Sequence, residues 1–403
     1  MIDLNSIAQM RWFMGKGQPI RHLDEMDSTT IGGCKLQILQ VEFENGSRDL
    51  YAAVDDESRM GALLTEGFCG APSVQIYKGG EGQFVFSRAS RIDRDSLAQA
   101  VSLGIEQSNS AFFVEGKYFF KLFRRLHAGI HPEQETLTHL NRNKFNGVPQ
   151  VLGQAEYQKK GNSYAIGILE NHVAGAKNAW DLFSQKEQDP ESLGNAAFEI
   201  GCATARMHDA LKNLKGTAQC PEEPPFDKLI WLLNASNKKN LIPLVKEILR
   251  RQDALENDSS RPRLFTPQRI HGDFHLGQVL LKNGNFTILD FEGEPARSLD
   301  YRRRLRNPAV DIAGMLRSFA YAEAVQQAQE TDSGTPKTGI FDHGVYFLMG
   351  YSKETGIPIK QLEEETRPFI LGKAIYEACY ELEYRPKWFW IPEKALKSLI
   401  FKA

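Results

Sequence analysis

The chain has 403 residues, of which 41% are hydrophobic and 25% charged, as in an ordinary globular protein long enough for two or three compact units. The 49 Lys and Arg residues nearly balance the 51 Asp and Glu residues, and the formal net charge is −2. This balance gives no electrostatic reason to expect nucleic acid or an anionic membrane as a partner.

The five cysteines are scattered along the chain and form no Cys-x-x-Cys pair. This pattern argues against a disulfide framework or a zinc site and favours reduced thiols. No apolar run reaches membrane-spanning length, and residues 1–20 lack the apolar core of a signal peptide. We therefore expect a cytoplasmic protein.

Residues 1–90 are predicted to form a β-rich N-terminal cap. Apolar and polar residues roughly alternate over 35–44, and the segments 49–55 and 83–87 also indicate strands. Glycine-containing turns separate these strands. The segment contains no recognisable catalytic pattern, so we assign it to a separate subdomain.

A β-hairpin is predicted over residues 111–123, where two aromatic-rich strands flank a short Glu-Gly-Lys turn. Lys121 lies in the second strand among residues expected to be buried, and a desolvated lysine is unfavourable unless it meets an anion. Glu135 follows near the beginning of a predicted helix. Taken alone, Lys121 is more simply explained as a lysine whose ammonium group reaches solvent, and Glu135 as a solvated helix residue. Lys121 and Glu135 together match the strand lysine and helix glutamate that kinases pair over the nucleotide phosphates. The motif at residues 271–295, described below, favours this second interpretation.

Residues 163–170 indicate a further strand, and the following residues form its exit toward the second half of the chain. In kinases this connector offers backbone groups to the adenine ring. We therefore place a purine near Glu170, Asn171 and Val173.

From residue 189 onward apolar residues step by three and four, which predicts amphipathic helices. Asn307-Pro308 indicates another helix start, because proline is pre-set for the first helical turn. Asp311 lies just inside that helix, and we interpret it as a structural support for the loop at residues 271–278, which is described next.

The most informative motif lies at residues 271–295. Asp273 comes five residues before the amide of Gln278, and Asp290 closes an apolar, strand-like run twelve residues after that amide. Protein kinases use the same order: an Asp for the hydroxyl proton, an amide for one Mg²⁺ and an Asp that reaches the phosphates through metal. A turn, a strand and some surface acids are the simpler alternative. The order and spacing of both halves favour a phosphotransferase that uses ATP and Mg²⁺.

Residues 367–390 offer a candidate acceptor site. Lys373, Tyr376 and Tyr384 fall on one side of a predicted helix that ends at Arg385. Phenols can stack on sugar rings, and charged groups can bond sugar hydroxyls. On spacing alone, a tyrosine stripe more often completes a hydrophobic core.

These motifs together resemble those of bacterial maltokinases, within the wider aminoglycoside-phosphotransferase-like or eukaryotic-protein-kinase-like group. The resemblance spans essentially the whole chain. It rests on residues 11–17, 106–110, 121–126, 271–278 and 290–295 and on the Tyr-Glu-Leu-x-x-Arg-Pro-x-Trp pattern at 380–388.

The resemblance implies an α+β, bilobal protein-kinase-like fold, with a small β-rich N-lobe (91–175) and a mostly helical C-lobe (176–403) after the cap (1–90). It also implies ATP- and Mg²⁺-dependent phosphorylation of maltose at its anomeric hydroxyl. The product, maltose 1-phosphate, would link trehalose to glycogen or another α-glucan, and a trehalose-interconverting enzyme would be a candidate partner.

The resemblance further implies residue roles. Asp273 takes the base position, Gln278 and Asp290 the Mg²⁺ positions, and Lys121 with Glu135 the phosphate-anchoring pair. The other candidates are Ser108, Asn109, Ser110, Glu170, Asn171 and Val173 for the nucleotide, and His275, Glu292, Lys373, Tyr376, Tyr384 and Arg385 for the acceptor. The sequence departs from protein kinases in two ways: the phosphate loop lacks their glycines, and Gln278 replaces the usual Asn.

Two rival functions stay open. The first is the same chemistry on glucosamine, another sugar or an aminoglycoside. Glu292 and Glu383 are compatible with a cationic acceptor, whereas Lys373 and Arg385 argue mildly against one. The second is a catalytically silent kinase-like module that binds nucleotide or a partner enzyme, but all the expected reactive side chains are present.

Overall fold

The computed structural model describes residues 4–104, 109–185, 189–218, 225–256, 263–294, 297–331 and 342–401. The chain divides into two compact units. The first comprises Met1–Ala176 with Phe291–Arg302, and the second comprises Lys177–Asp290 with Arg303–Ala403. Strands dominate the first unit and helices the second, which confirms the predicted α+β class.

Up to residue 176 the first unit begins with a short helix and then alternates strands with further helices. Its helices are α1 (Leu4–Gln9), α2 (Met60–Cys69), α3 (Arg94–Leu97) and α4 (Pro132–Arg142). Its strands are β1 (Ile20–Ile31), β2 (Cys34–Phe43), β3 (Arg48–Val54), β4 (Val74–Lys78), β5 (Gln83–Arg88), β6 (Val101–Ser102), β7 (Ser110–Val114), β8 (Tyr118–Leu122), β9 (Arg125–Leu126), β10 (Val151–Lys159) and β11 (Asn162–Asn171). The strands predicted at 35–44, 49–55, 83–87, 111–123 and 163–170 are all present.

These strands form two antiparallel sheets, with the orders β1-β2-β3-β9 and β4-β5-β10-β11-β8-β7-β6. Strand β2 has buried apolar residues on both faces, and polar residues stand between most of them in its sequence. Leu36 and Ile38 face a large core that both sheets share with α2. Val41 and Phe43 face a smaller core with Trp12.

The seven-stranded sheet joins strands from both sides of residue 90, since β5 pairs with β10. The three-part division of the chain at residues 90 and 175 stays a prediction. Within this sheet Lys121 is central, because β8 is hydrogen-bonded to β7 on one side and to β11 on the other. This interior position makes a specific anionic partner for Lys121 necessary.

The second unit contains a small antiparallel sheet of order β12-β13-β14 and most of the helices. The strands are β12 (Lys177–Asn178), β13 (Val279–Lys282) and β14 (Asn285–Ile288), and the helices between β12 and β13 are α5 (Ala179–Ser184), α6 (Pro190–Leu211), α7 (Phe226–Ala235) and α8 (Ile242–Glu256). After α9 (Leu299–Arg302), which belongs to the first unit, come α10 (Ala309–Thr331), α11 (His343–Thr355), α12 (Ile359–Tyr384) and α13 (Trp390–Phe401).

A buried cluster of aliphatic and aromatic side chains from α7, α8, α12 and α13 forms one core of the second unit. Helix α10 begins where the sequence predicted, because the Asn307 side chain accepts a hydrogen bond from the N–H of Ala309 at 2.9 Å. Within the parts of the chain that the structure describes, we find no helix with both the length and the apolar character to cross a lipid bilayer.

The apolar run between the two halves of the central motif is a hairpin and not one strand. Asn283 and Gly284 both have positive φ, 51° and 78°, and they connect β13 to β14. This Asn-Gly pair is the preferred sequence for a two-residue hairpin turn. The hairpin lies between Gln278 and Asp290 and brings its two ends side by side.

Candidate active site

The loop at 271–278 is fixed by one buried carboxylate of α10. Asp311 accepts hydrogen bonds from the backbone N–H of His271 at 2.8 Å and of Gly272 at 2.9 Å. The His208 side chain on α6 contacts the same carboxylate at 3.1 Å. Burial alone would raise the pKa of Asp311, but the hydrogen bond and charge of His208, the charge of His271 and the Gly272 N–H together lower it. Asp311 is therefore an ionised brace for the loop, as the sequence indicated.

The loop is also fixed by its own histidine. His271 Nε2 donates to the carbonyl of Leu289 at 2.8 Å, which ties the loop to the end of β14. The backbone N–H of Asp273 points to His271 Nδ1 at 3.4 Å. Gly272 has a φ of +86°, a conformation in which a side chain would be strained. These contacts present the half-buried Asp273 at the tip of a rigid turn.

The amide and carboxylate predicted to bind metal are in contact. Gln278 Nε2 donates to Asp290 Oδ2 at 3.0 Å, so the two side chains are adjacent. These are hard oxygen donors of the kind that Mg²⁺ prefers. Asp290 has a φ of +63°, a left-handed conformation that is uncommon outside glycine and that clusters at functional sites. The donor set fits the metal that the sequence predicted.

His275 shows that further candidate residues lie close to Asp273. Burial is the main reason why the pKa of His275 is lowered, and the carboxylates of Asp273 and Asp290 act in the opposite direction. The charges of His271 and Lys373 add to the lowering. The His275 ring accepts a hydrogen bond at Nδ1 from the N–H of Gly277 at 3.1 Å. A neutral imidazole therefore lies within electrostatic range of both acids and of Lys373.

Helix α10 approaches the loop so closely that it needs a glycine, which sequence reasoning missed. A Cβ atom placed on Gly314 would lie 2.5 Å from the carbonyl oxygen of Phe274 and 4.0 Å from Lys373 Cε. The first distance is impossible for real atoms, so any side chain at 314 would push the loop away. The second shows that the Lys373 side chain lies beside the same loop.

In the first unit, Lys121 forms the centre of an ionic cluster. Its Nζ lies 2.9 Å from Glu133 Oε2 and 3.5 Å from Glu292 Oε1, and all three side chains are largely buried. Glu133 stands in the first turn of α4 directly after Pro132, where the helix dipole favours a negative charge. The sequence analysis assigned Glu135 and not Glu133 to Lys121. Residues 133 and 135 point about 200° apart around a helix, and the pairing of Lys121 with Glu135 stays a prediction.

The predicted phosphate-loop residues belong to the same ionic cluster, although Ser108 lies outside the described residues. Asn109 Nδ2 donates to Glu292 Oε1 at 2.8 Å, and Asn109 Oδ1 accepts from the backbone N–H of Arg124 at 3.2 Å. Ser110 Oγ accepts from Arg124 Nε at 2.9 Å. Glu292, which the sequence analysis assigned to the acceptor, therefore lies with the predicted nucleotide residues.

The three residues predicted near the purine lie at the end of β11. Glu170 is buried and stands opposite Phe119 of β8. The Asn171 side chain accepts a hydrogen bond from the backbone N–H of Gln150, and Val173 is half-buried in the connector that follows. A contact of these backbone groups with a purine stays a prediction.

Helix α12 separates the candidate acceptor residues into two places. Tyr376 lies one turn after Lys373 and is 44% exposed, so it does not complete the core. Tyr384 is 67% exposed and lies about 16 Å farther along the helix from Lys373. Arg385 bonds Glu381 Oε1 at 2.6 Å, which anchors it at that far end. Lys373 lies near the loop, and Tyr384 and Arg385 are remote from Lys373 along α12.

A braced acid at a loop tip, an amide–carboxylate pair across a hairpin and a strand lysine held by a helix glutamate define a kinase-like phosphotransferase. The comparison with known families agrees. The sequence model described as the Phosphotransferase enzyme family (APH) matches residues 99–338, more than half of the chain, and the protein belongs to that family.

Individual relatives share low sequence identity over most of the chain. A glucosamine kinase of Mycolicibacterium smegmatis is 24% identical over 323 residues, which cover 73% of this chain and 78% of that protein. A glucosamine kinase of Streptacidiphilus jiangxiensis is 22% identical over 293 residues, covering 67% of this chain and 65% of that protein. A solved structure of glucosamine kinase in complex with glucosamine, ADP and inorganic phosphate has a TM-score of 0.65 and 18% identity, with 99% of this chain and 100% of that chain covered. This likeness confirms the predicted kinase-like fold.

Proposed function

We propose that the protein is an ATP-dependent sugar kinase and that glucosamine is its first candidate acceptor. The observation that carries the kinase assignment is the loop geometry: Asp273 is presented by a turn that Asp311 holds through two backbone hydrogen bonds. The acceptor assignment is supported by the names of the relatives, which are glucosamine kinases. It replaces maltose, which the sequence resemblance implied, as the first candidate.

In this proposal each group of residues has one task. Asp273 accepts the proton of the attacking hydroxyl and aligns it, which is typically worth 10²–10⁴ in rate. Gln278 and Asp290 hold the magnesium ion, which would neutralise charge on the phosphates of ATP. Lys121, held by Glu133, binds the inner phosphates.

The charges on α12 bear on how an ammonium group would be recognised. Glu377 is paired with Arg317 at 2.6 Å, and Glu383 is paired with Lys228 at 2.7 Å. Carboxylates that already have cationic partners are poor ligands for a further ammonium ion, since binding would have to displace a charge. Glu377 and Glu383 are therefore poor candidates for binding the ammonium group of a cationic sugar.

Maltose is the second candidate acceptor. The observation that favours it is the Asp-Phe-Glu-Gly-Glu-Pro sequence at 290–295 together with the pattern at 380–388, both of which resemble maltokinases. The association with a trehalose-interconverting enzyme belongs to this alternative and would be tested after it, whereas the predicted cytoplasmic location does not depend on the acceptor.

An ADP-release assay over glucosamine, N-acetylglucosamine, glucose, maltose and an aminoglycoside tests the proposal. Glucosamine should give the highest kcat/KM, and N-acetylglucosamine, the matched neutral sugar, should give a much lower one. A preference for maltose would overturn the acceptor assignment and leave the kinase assignment standing. Treating the product with mild acid would then show which hydroxyl was phosphorylated, because a phosphate on the anomeric hydroxyl is released and a phosphate on a primary hydroxyl is not.

The variant Asp273→Asn tests the kinase assignment itself. It should retain nucleotide binding and lose turnover by about 10²–10⁴. Failure of the unmodified protein to release ADP with any acceptor, or near-normal turnover of the variant, would refute the assignment.

A further inference from the structure

Arg124 lies just after β8, and its guanidinium is almost completely buried. The side chain is 1% exposed. Its Nε donates to Ser110 Oγ at 2.9 Å, its Nη1 donates to the carbonyl of Ala52 at 3.3 Å, and its Nη2 donates to Glu57. The guanidinium carbon lies 4.7 Å from the ring centre of Trp12. One side chain therefore joins the turn that follows α1, strand β3, the short 3-10 helix Glu57–Arg59 and strand β7.

A charge at this depth needs a specific reason. Burial lowers the pKa of Arg124 to about 10, and the carboxylate of Glu57 opposes this lowering. The group therefore stays charged at neutral pH. A buried ion pair seldom adds stability compared with a well-packed apolar side chain, whereas the planar fork of arginine fixes several partners in one geometry. The contacts of Arg124 point to a positioning role.

The partners of Arg124 lead directly to Lys121. The backbone N–H of Arg124 bonds Asn109 Oδ1, and the other end of that amide donates to Glu292 at 2.8 Å. Glu292 in turn lies 3.5 Å from the ammonium group of Lys121. Arg124 thus holds two residues of the predicted phosphate-binding segment: its backbone N–H bonds the Asn109 side chain, and its guanidinium bonds the Ser110 side chain.

We propose that Arg124 is a positioning residue for nucleotide binding and that the N-terminal region sets nucleotide affinity through it. Trp12, Ala52 and Glu57 hold the guanidinium, and the guanidinium holds Ser110 in place. This inference rests on the proposed function for the nucleotide role of Asn109, Ser110 and Lys121. It assigns a task to the first ninety residues, in which the sequence showed no chemistry.

Two variants and one control test this inference. Arg124→Lys keeps the positive charge but cannot reach Ser110, Ala52 and Glu57 together. Glu57→Gln keeps a hydrogen-bond acceptor and removes the charge partner, and because Glu57 is 42% exposed this change is mild. The matched control is Arg125→Lys, which alters the next residue along the chain, whose partner is Asp49 at 2.7 Å.

The primary measurement is the Kd for MgATP by titration calorimetry, which needs no acceptor. Arg124→Lys should weaken MgATP binding by about tenfold, the size expected for loss of one hydrogen bond to a charged group. Glu57→Gln should weaken MgATP binding by about threefold, because it weakens only one of the contacts that hold the guanidinium. The KM for the acceptor should change by less than about twofold in both variants, and Arg125→Lys should leave both constants unchanged.

The outcomes separate the inference from the proposed function. Unchanged MgATP affinity in folded Arg124→Lys would overturn the inference, and so would equal losses in MgATP and acceptor binding. If Arg124→Lys does not fold, Glu57→Gln decides the question by the same criterion. An unmodified protein that binds MgATP but phosphorylates no sugar would refute the proposed function and leave the calorimetric test of Arg124 in force.

Discussion

The replacement Asp311→Asn tests how much the loop at 271–278 depends on its buried brace. The change removes the charge and preserves the shape. One oxygen of Asp311 accepts from the N–H of His271, and the other accepts from the N–H of Gly272. An asparagine has only one oxygen, so one of these two backbone N–H groups must face an amide NH₂.

A buried donor that loses its acceptor costs about 1–3 kcal/mol, and the hydrogen bond that remains loses the added strength of a charged acceptor. We therefore expect the free energy of unfolding to fall by about 1–3 kcal/mol. Since each 1.36 kcal/mol is tenfold in rate, a displaced loop should lower kcat by about 10- to 100-fold. The KM for ATP should change much less.

The measurements are urea unfolding and steady-state ADP release at saturating acceptor. Asp209→Asn on α6 is the control, because its ion pair with Lys212 is solvent-exposed and should contribute almost nothing. The lowered pKa of Asp311 adds a pH test: its stabilisation is present above its unfolded pKa and is lost as the pH falls through the folded value. Unchanged kcat and unchanged unfolding free energy in Asp311→Asn would refute the bracing role.

Two other predictions concern metal and acid. Asp290→Asn should abolish most of the gain in ATP affinity that Mg²⁺ provides, because the change removes a charged oxygen ligand. Calorimetry with and without Mg²⁺ measures this gain. An equal gain in the variant and in the unmodified protein would argue against the metal assignment. Burial, helped by Arg125 and Arg302 and opposed by Asp49, lowers the pKa of His127 to about 4. Between the ordinary histidine pKa of about 6.5 and the lowered pKa of folded His127, the unfolded chain binds more protons at this residue than the folded protein does. The free energy of unfolding therefore decreases as the pH falls through this window. His127→Gln should show a shallower decrease in urea unfolding between pH 7 and 4, and identical slopes would contradict this cause.

The parts of the fold that follow from local periodicity could be predicted from the sequence. Strand β2 alternates Leu36 and Ile38 on one face with Val41 and Phe43 on the other, and this pattern of period two is visible in the letters. The contact between Gln278 and Asp290 also follows from the sequence, because their fixed spacing and the apolar run between them already indicated a joint role.

Other features depend on tertiary contacts that spacing does not encode. Glu133 and Glu135 both lie in the first turn of α4, and the contact of Glu133 with Lys121 depends on how that helix packs on the sheet. The role of Arg124 was equally hidden, since its partners come from segments far apart in the chain. The hairpin between β13 and β14 is different, because Asn283-Gly284 was an available signal that the prediction of one strand overlooked.

The ionic cluster around Lys121 bears on why this family needs a divalent cation. Glu133 and Glu292 lie 2.9 and 3.5 Å from the ammonium group of Lys121, and Glu292 is also paired with Arg302 at 3.4 Å. These buried cations are therefore already engaged by carboxylates. A triphosphate brought to Lys121 would add negative charge beside the two acids, and like charges repel. If Lys121 binds the phosphates as proposed, a divalent cation bound to the nucleotide would offset part of this added negative charge. We therefore expect MgATP to bind more tightly than free ATP, and equal affinities by calorimetry would contradict this reasoning.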